Sequence, residues 1–438
     1  VLTIAYLANQ FPAAVEPYVG EEIEELRRRG VRVIAGSVRR TNEVKRGDGA
    51  TSELEILCLQ PLRLAILLRA LWLVVRRRDR IADLVKRALL QGKESPRHRL
   101  KALLHTWLGA CYAALLRERA VDHIHAHHGY FGSWIAMVAA RLLGASFSLT
   151  LHGSDLLIDG VYLDTKLKHC QFCVTISEYN RRYILQHFPG IDRGKIMVSR
   201  LGVESPGRVE SRPASDRART LRLLAVGRLH AVKDHAFLIR ACARLRDHGV
   251  DFECRIAGEG PERERIERSI QKSRLQDRIK LLGQVAREQM DSLYRCADVV
   301  VLTSRSEGIP LVLMEAMARG RIVLAPAITG IPELVVAGKT GFLYAPGVVK
   351  DFVAKLLFLQ RSMASENRDG GSRLAWIRHA ARAQVLHNFN RQTNLTDFAD
   401  RFLQRITAKE LADDDFANQD FPNHDWSPPD EDLVLQQI

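Results

Sequence analysis

The chain of 438 residues carries 65 Lys and Arg against 51 Asp and Glu, a formal net charge of +14. At about 100–200 residues per domain, that length predicts two or three domains, each able to bury its own core. With 46% apolar and 26% charged residues, the composition excludes wholesale disorder and fibrous classes. The seven cysteines (Cys58, Cys111, Cys170, Cys173, Cys242, Cys254, Cys296) are odd in number and scattered, which fits a reducing compartment better than a disulfide framework.

In chain order, VLTIAYLANQFP lacks a basic leader and reads as a first strand, so the chain is expected to be cytoplasmic rather than secreted. The helix EEIEELRRRG and the strand VRVIAGSV follow. No run reaches the roughly 18–20 apolar residues of a spanning helix; the longest, Leu62 to Val75, is interrupted by Arg63 and Arg69. Residues 62–101 hold twelve Lys/Arg and three Asp/Glu, a local +9. Arg69, Arg76, Arg80 and Arg87 recur at helical spacing and are expected to line one stripe of a helix. Two readings stay open. One is a surface that docks on the anionic cytoplasmic face of a membrane with Trp72 at headgroup level; the other is a core helix with a solvated basic face.

Next come the strand HIHAHH, a helix around WIAMVAARLLG, and the strands SFSLTLHG and FCVTIS. His123, His125 and His127 share one strand face, but no carboxylate lies nearby in sequence, so a structural role is preferred to zinc. Cys170 and Cys173 form a CxxC without a second pair and are expected to be buried and structural. Residues 206–220 form a polar, Pro- and Gly-bearing linker. The pattern then restarts with LRLLAVG, FECRIAGEG, IKLLGQV, ADVVVLTS and RIVLAPA, each followed by a helical stretch. Strands alternating with helices imply parallel sheets, hence two doubly wound, Rossmann-like α/β domains over 1–205 and 221–375. Residues 376–408 are expected to be helices packing back on the first domain. Residues 409–438 form an acidic tail expected to be disordered; residues 411–438 hold eight acids and no Lys or Arg. Removing that −8 leaves +22 on the body.

In doubly wound folds ligands sit beyond the carboxyl ends of the strands. Two apparent phosphate motifs fail. Gly338-Lys339-Thr340 has Glu333 where the loop needs glycine, and Gly258-Glu259-Gly260 lacks a third glycine, leaving only a tight turn. The informative segment is Ser304-Arg305-Ser306-Glu307-Gly308-Ile309-Pro310-Leu311-Val312-Leu313-Met314-Glu315, which leaves a strand and starts a helix with Pro310 suited to its first position. Free amides there would hold a phosphate. At about 1.5 Å per residue, Glu307 and Glu315 stand on the order of 10 Å apart. That is too far for a carboxylate pair acting on one bond, but suited to gripping the two ends of a nucleotide sugar. Gly227-Arg228 through Lys233 places two cations at another strand end, where they would hold a diphosphate. His152-Gly153-Ser154-Asp155 closes a strand of the first half.

With HAHHG, LTLHGSD, VTISEYN, RLGV, AVGRLHAVKD, RIAGEGP, LLGQV, ADVVVLTSRSEGIPLVLMEAMA and TGIPELVVAGKTGFL in this order, the sequence resembles the retaining, GT-B-fold glycosyltransferases of family 4, particularly bacterial exopolysaccharide (colanic-acid-type) transferases. The resemblance implies two domains facing across a cleft. It implies transfer of a hexose from a UDP- or GDP-sugar to a glycan or polyprenyl-linked acceptor, with retained configuration and no metal or other cofactor. It places Arg228 and Lys233 on the pyrophosphate and Glu315 on the ribose. Glu307 with the amides of Gly308, Ile309, Leu311 and Val312 would lie at the sugar and phosphate, Gly258 and Val285 near the base, and His152 on the sugar from the opposite domain. Glu16, Tyr18 and Asp155 fall on the acceptor side. Two departures stand out: Phe11-Pro12-Ala13-Ala14-Val15 lacks the paired glycines usual in the first loop, and Arg321 stands where proline is usual. A sugar-nucleotide epimerase and a non-catalytic membrane scaffold share the architecture and remain alternatives. A nucleic-acid partner is not expected, because the basic block lacks a base-stacking array.

Overall fold

The computed structural model describes residues 1–12, 16–39, 55–158, 160–207, 220–369 and 373–407. Most of the linker, most of the first loop and the acidic tail lie outside the described residues.

The first domain is built on seven parallel strands: β1 (Thr3–Gln10), β2 (Arg32–Arg39), β3 (Ile56–Cys58), β4 (His123–His127), β5 (Ser146–Leu151), β6 (Phe172–Thr175) and β7 (Ile196–Val198), in the order β3-β2-β1-β4-β5-β6-β7. The second has six: β8 (Leu221–Val226), β9 (Phe252–Ala257), β10 (Ile279–Gly283), β11 (Val299–Val301), β12 (Ile322–Pro326) and β13 (Phe342–Tyr344), in the order β10-β9-β8-β11-β12-β13. Helices cover both faces of each sheet, so central strands are buried on both sides and carry apolar residues at successive positions, as in Ile4-Ala5-Tyr6-Leu7-Ala8 and Val299-Val300-Val301. Strand order reverses between β1 and β4 and between β8 and β11, and the crevices beyond the carboxyl ends at those reversals are where the fold accepts ligands. These are the doubly wound halves that the alternating pattern requires.

The two C-terminal helices divide between the halves. Leu374, Ile377, Ala381 and Val385 of helix Arg373–Asn388 pack into the second domain. Helix Arg391–Thr407 crosses over: Phe398, Ala399, Phe402 and Ile406 join Ile4, Tyr6 and Phe172 in the first domain. Phe402 stands edge-on to Phe172 at 5.3 Å and to His125 at 5.0 Å.

The basic block does not form one stripe. Helix Leu64–Arg76 ends at a 3-10 turn over Arg78–Arg80, and a separate helix, Ala82–Leu90, follows. Arg80 therefore donates to the Arg141 carbonyl oxygen at 3.2 Å, while Arg87 pairs with Glu94 at 2.6 Å and Asp164 at 3.2 Å. Only Arg69 and Arg76 share a helix. The helices nevertheless expose Leu64 (72%), Leu68, Leu71, Trp72, Val75 and Leu90 (74%), with the Arg117 and Arg76 guanidinium groups over the Trp72 ring at 4.3 and 5.4 Å. Among the described residues no helix is long and apolar enough to cross a membrane. Cys170 and Cys173 are buried free thiols.

Candidate active site

The second-domain wall is assembled from the loops after β8 and β11, which are stitched together by backbone. The Arg305 amide donates to the Val232 carbonyl oxygen at 2.8 Å, and Thr303 Oγ1 donates to the Lys233 carbonyl oxygen at 2.9 Å. Arg305 Nε lies 2.8 Å from Asp234, whose other oxygen caps helix His235–Asp247 through the Phe237 amide. This stitching brings Lys233 Nζ to 2.5 Å from Glu307 Oε1, which also accepts from Ser304 Oγ at 2.6 Å. Thr329 Oγ1 donates to the Glu307 carbonyl oxygen at 2.6 Å and anchors the backbone there. Arg228 is exposed and has no ion-pair partner among the described residues. Its charge reaches Glu16 and Tyr18 on the opposite domain.

Helix Leu311–Ala318 begins one residue later than the sequence pattern suggests, because Pro310 is extended (ψ 120°) and forms its N-cap. Residues 307–310 are therefore not helical, and the helical rise does not measure the separation of the two acids. Glu315, one turn into the helix, accepts from Tyr294 OH at 2.6 Å; Arg319 sits 5.1 Å over the Tyr294 ring. Gly258 follows β9 where any Cβ would collide with the Gly227 carbonyl oxygen, so glycine there lets the loops after β8 and β9 close on each other. Val285 is half-buried just beyond β10.

The first-domain wall comes from the ends of β1, β4 and β5. On β4 and β5, the register pairs His123 with Ser146, His125 with Ser148 and His127 with Thr150. A ladder results. His123 Nδ1 meets Ser146 Oγ and its Nε2 meets Ser148 Oγ, both at 2.6 Å; His125 Nδ1 meets Ser148 Oγ at 2.7 Å and its Nε2 meets Thr150 Oγ1 at 3.0 Å. The last rung turns away: His127 Nε2 lies 2.9 Å from Glu22 Oε2 and its Nδ1 3.1 Å from His152 Nε2. Burial holds the His125 imidazole well below the usual histidine range, so it stays neutral. Atoms of Glu22, His125 and His127 gather within 4.8 Å, but each ring nitrogen already has a hydrogen-bond partner, so the cluster is satisfied as a polar core.

Next to this ladder, His128 has φ +68°, a left-handed conformation that costs a residue with a Cβ about 1–2 kcal/mol. Its amide donates to the Thr150 carbonyl oxygen at 2.9 Å. The imidazole lies 3.0 Å from Glu16 Oε1 and 3.6 Å from Asp155 Oδ2, an ion-pair arrangement rather than a pair of aligned hydrogen bonds. Burial alone would lower its pKa, but Asp155 and Glu16 push it up to about 10, making it a cation. Asp155 is fully buried. Burial would raise its carboxyl, yet His128 and the backbone amides hold it well below the usual range. Its oxygens accept from the amides of Gly129, His152 and Gly153 at 2.8–3.1 Å, tying the β4 and β5 loops together. Glu16 is likewise lowered on balance, burial being outweighed by His128. Burial, and then the His128 charge, hold the half-buried His152 well below the usual histidine range, so it is neutral. Tyr18 covers it at 4.6 Å, and burial pushes the Tyr18 phenol far up.

The two walls meet. The Gly308 amide nitrogen would lie 3.1 Å from a Cβ on Gly153, and a Cβ on Gly308 would overlap the His152 carbonyl oxygen and Ile176. Glu333 reaches across to accept from the Glu178 and Tyr179 amides at 3.1 and 2.6 Å, at the start of helix Glu178–His187. Thus Lys233, Glu307, Gly308 and Arg228 come together against His152, Glu16 and Tyr18, while Glu315, Gly258 and Val285 line the second domain further along. Sequence reasoning missed Glu22, His127 as its partner, and Glu333. Glu22 sits inside an acidic helix where four glutamates look alike; Glu25 is buried too, and only the contacts with Tyr6 and His127 set Glu22 apart.

Residues 210–369 match the family model "Glycosyl transferases group 1", and residues 15–205 match "Glycosyltransferase Family 4". The chain belongs to the GT-B-fold glycosyltransferases of the family 4 type. It is 35% identical over 209 residues to the putative colanic acid biosynthesis glycosyltransferase WcaL of Escherichia coli (strain K12), covering 46% of this chain and 50% of that protein. It is 28% identical over 312 residues to the amylovoran biosynthesis glycosyltransferase AmsK of Erwinia amylovora, covering 68% of this chain and 74% of that one. The match thus spans about half the length of WcaL. Among solved structures, the fold is shared with a sucrose-phosphate synthase from Thermosynechococcus elongatus (TM-score 0.72, 18% identity, 93% of this chain and 100% of that one). It is also shared with Anabaena Alr3699/HepE, solved in complex with UDP and glucose (TM-score 0.64, 19% identity, 92% and 100%).

Proposed function

We propose that the chain transfers a hexose from a nucleotide diphosphate sugar to a hydroxyl of a glycan or polyprenyl-linked acceptor, with retention, in the assembly of a bacterial exopolysaccharide. The observation carrying this reading is the Lys233–Glu307 contact of 2.5 Å at the carboxyl ends of β8 and β11, with Gly308 of the same loop packed against His152, and with Arg228, exposed and without an ion-pair partner among the described residues, following β8. Arg228 and Lys233 would neutralise charge growing on the departing diphosphate. Glu307 would trade its Lys233 contact for the donor, Glu315 would take the ribose hydroxyls, and the amides at Gly308, Ile309, Leu311 and Val312 would meet phosphate and sugar. In this reading the acceptor attacks the face the diphosphate leaves. The leaving oxygen takes the acceptor proton, so neither a protein base nor a metal is required. Closure of Gly308 on His152 would exclude water. The WcaL and AmsK names support the exopolysaccharide assignment, and a nucleotide donor is supported by UDP in the Alr3699/HepE complex.

We also propose that the exposed leucines and Trp72 of the 62–101 block, with the exposed Arg69, Arg76 and Arg78 on the same stretch, seat the enzyme on an anionic membrane bearing the acceptor. Consumption of UDP- and GDP-sugars with and without a lipid extract tests the transfer reading. Acceptor-independent conversion of the donor sugar would favour an epimerase instead.

A further inference from the structure

His152 does not stand alone. Its Nε2 faces His127 Nδ1 at 3.1 Å, and His127 Nε2 faces Glu22 Oε2 at 2.9 Å. Glu22 and His127 are both buried, and the same Glu22 oxygen is bonded by Tyr6 OH. Burial and Glu22 itself push the Tyr6 phenol far up, so the phenol keeps its proton and donates it. A glutamate oxygen fixed as acceptor for Tyr6 calls for a donor from His127, so the proton of that ring sits on Nε2. In a neutral His127 ring Nδ1 is then a bare lone pair, and completing the 3.1 Å contact with a neutral His152 puts the second proton on His152 Nε2. His152 Nδ1 is left without a proton, and it has no protein partner among the described residues.

We infer that Glu22 and His127 are positioning residues that lock His152 as its Nε2–H tautomer, so that His152 Nδ1 is presented as a hydrogen-bond acceptor to a hydroxyl of the transferred sugar. This deepens the transfer reading and rests on it for the identity of the ligand, but not for the tautomer. The chemistry is selective. A bare nitrogen rewards a sugar that offers an O–H and leaves an unpaired acceptor against a deoxy or O-methyl sugar, the kind of mismatch that discriminates strongly. Tyr18 over the ring at 4.6 Å and the Asp155-held backbone of His152 and Gly153 fix the orientation as the relay fixes the proton.

The test is histidine-selective 15N NMR of the full chain, with His152 and His127 signals assigned from His152→Ala and His127→Phe. The expected wild-type result is a protonated Nε2 and an unprotonated Nδ1 on both rings. In His127→Phe and Glu22→Leu the His152 tautomer should become mixed. Glu22→Gln, whose amide oxygen still accepts, should restore most of the wild-type pattern. A purely structural role would lower the melting temperature and leave the His152 tautomer unchanged, which would overturn the inference. So would a wild-type His152 protonated on Nδ1, or a metal-bound His127 signal. In turnover, His127→Phe should lower kcat about tenfold or more while KM for the nucleotide sugar stays within about twofold, the pattern of an interaction used mainly in the transition state. If the tautomers are as described but wild-type protein consumes no nucleotide sugar, the relay stands and the transfer reading fails.

Discussion

Lys233 Nζ and Glu307 Oε1 lie 2.5 Å apart although 74 positions separate them in sequence. The pair neutralises itself, and the surrounding loops hold it at the reversal of strand order. In the proposed transfer, a phosphorylated donor entering there would offer Lys233 a stronger partner and leave Glu307 to the sugar. Lys233→Ala should therefore lower turnover by about 10²–10³-fold, the usual cost of losing one group aimed at developing charge. Glu307→Gln should lower kcat more than it changes nucleotide affinity. Steady-state kinetics with calorimetric nucleotide binding separates the two, and near-wild-type rates in both variants would remove the pair from the site.

Gly308 touches the first domain so closely that a single methyl group collides with the His152 carbonyl oxygen and Ile176. Gly308→Ala should keep the melting temperature within a few degrees, because the collision lies between domains and outside the core clusters. Turnover should drop by about 10²-fold, since small displacements at a reacting centre are costly. Thermal unfolding and kcat measured on the same preparation check this.

The His128–Asp155–Glu16 group sets a pH window for stability. His128 is raised to about 10 from an unfolded value near 6.5. Its contribution is complete below about pH 6.5 and is lost as pH rises through 10. Asp155 and Glu16 are lowered, so their contributions hold above their unfolded values near 4 and disappear as pH falls through the folded ones. His128→Gln strands a buried carboxylate and should destabilise by about 3–5 kcal/mol at neutral pH. The melting-temperature gap between wild type and variant should narrow as pH approaches 10.5.

The membrane proposal is tested by sedimentation with vesicles containing anionic lipid. Binding should fall by about two orders of magnitude or more on charge reversal at Arg76–Arg78, at about 1 kcal/mol per basic residue, and should weaken in Trp72→Ala. Binding that ignores both changes would leave the exposed leucines without this role.

The doubly wound halves were legible because a strand buried on both faces must be apolar throughout, as β11 is, and because Pro- and Gly-bearing polar sequence separates the two runs. The second-domain wall of the candidate site was legible for a related reason: Arg228, Lys233 and Glu307 follow recognisable strands, at the edge where the fold puts ligands. In the first-domain wall the resemblance named His152, Asp155, Glu16 and Tyr18, but not the residues that hold them. Glu22 meets His127 across 105 positions and Glu333 meets Tyr179 across 154, contacts that no local pattern encodes. The arginine stripe misled because its spacing stays helical through the turn at Arg78–Arg80. Charge periodicity does not register a break that leaves the residue count intact. The hydroxyl partners of the histidine strand on β5 emerge only once the β4–β5 register is known.

The most direct measurement is the fate of the donor. Purified protein should be incubated with UDP- and GDP-sugars and a lipid extract, the released nucleotide quantified, and the anomeric configuration of the product read by NMR. We expect one donor to be consumed only with acceptor, to release nucleoside diphosphate, and to give a product with the donor's own anomeric configuration, all abolished in Lys233→Ala. An inverted product, a changed sugar nucleotide released without acceptor, or a Lys233→Ala enzyme as fast as wild type would rule out retaining transfer at this site.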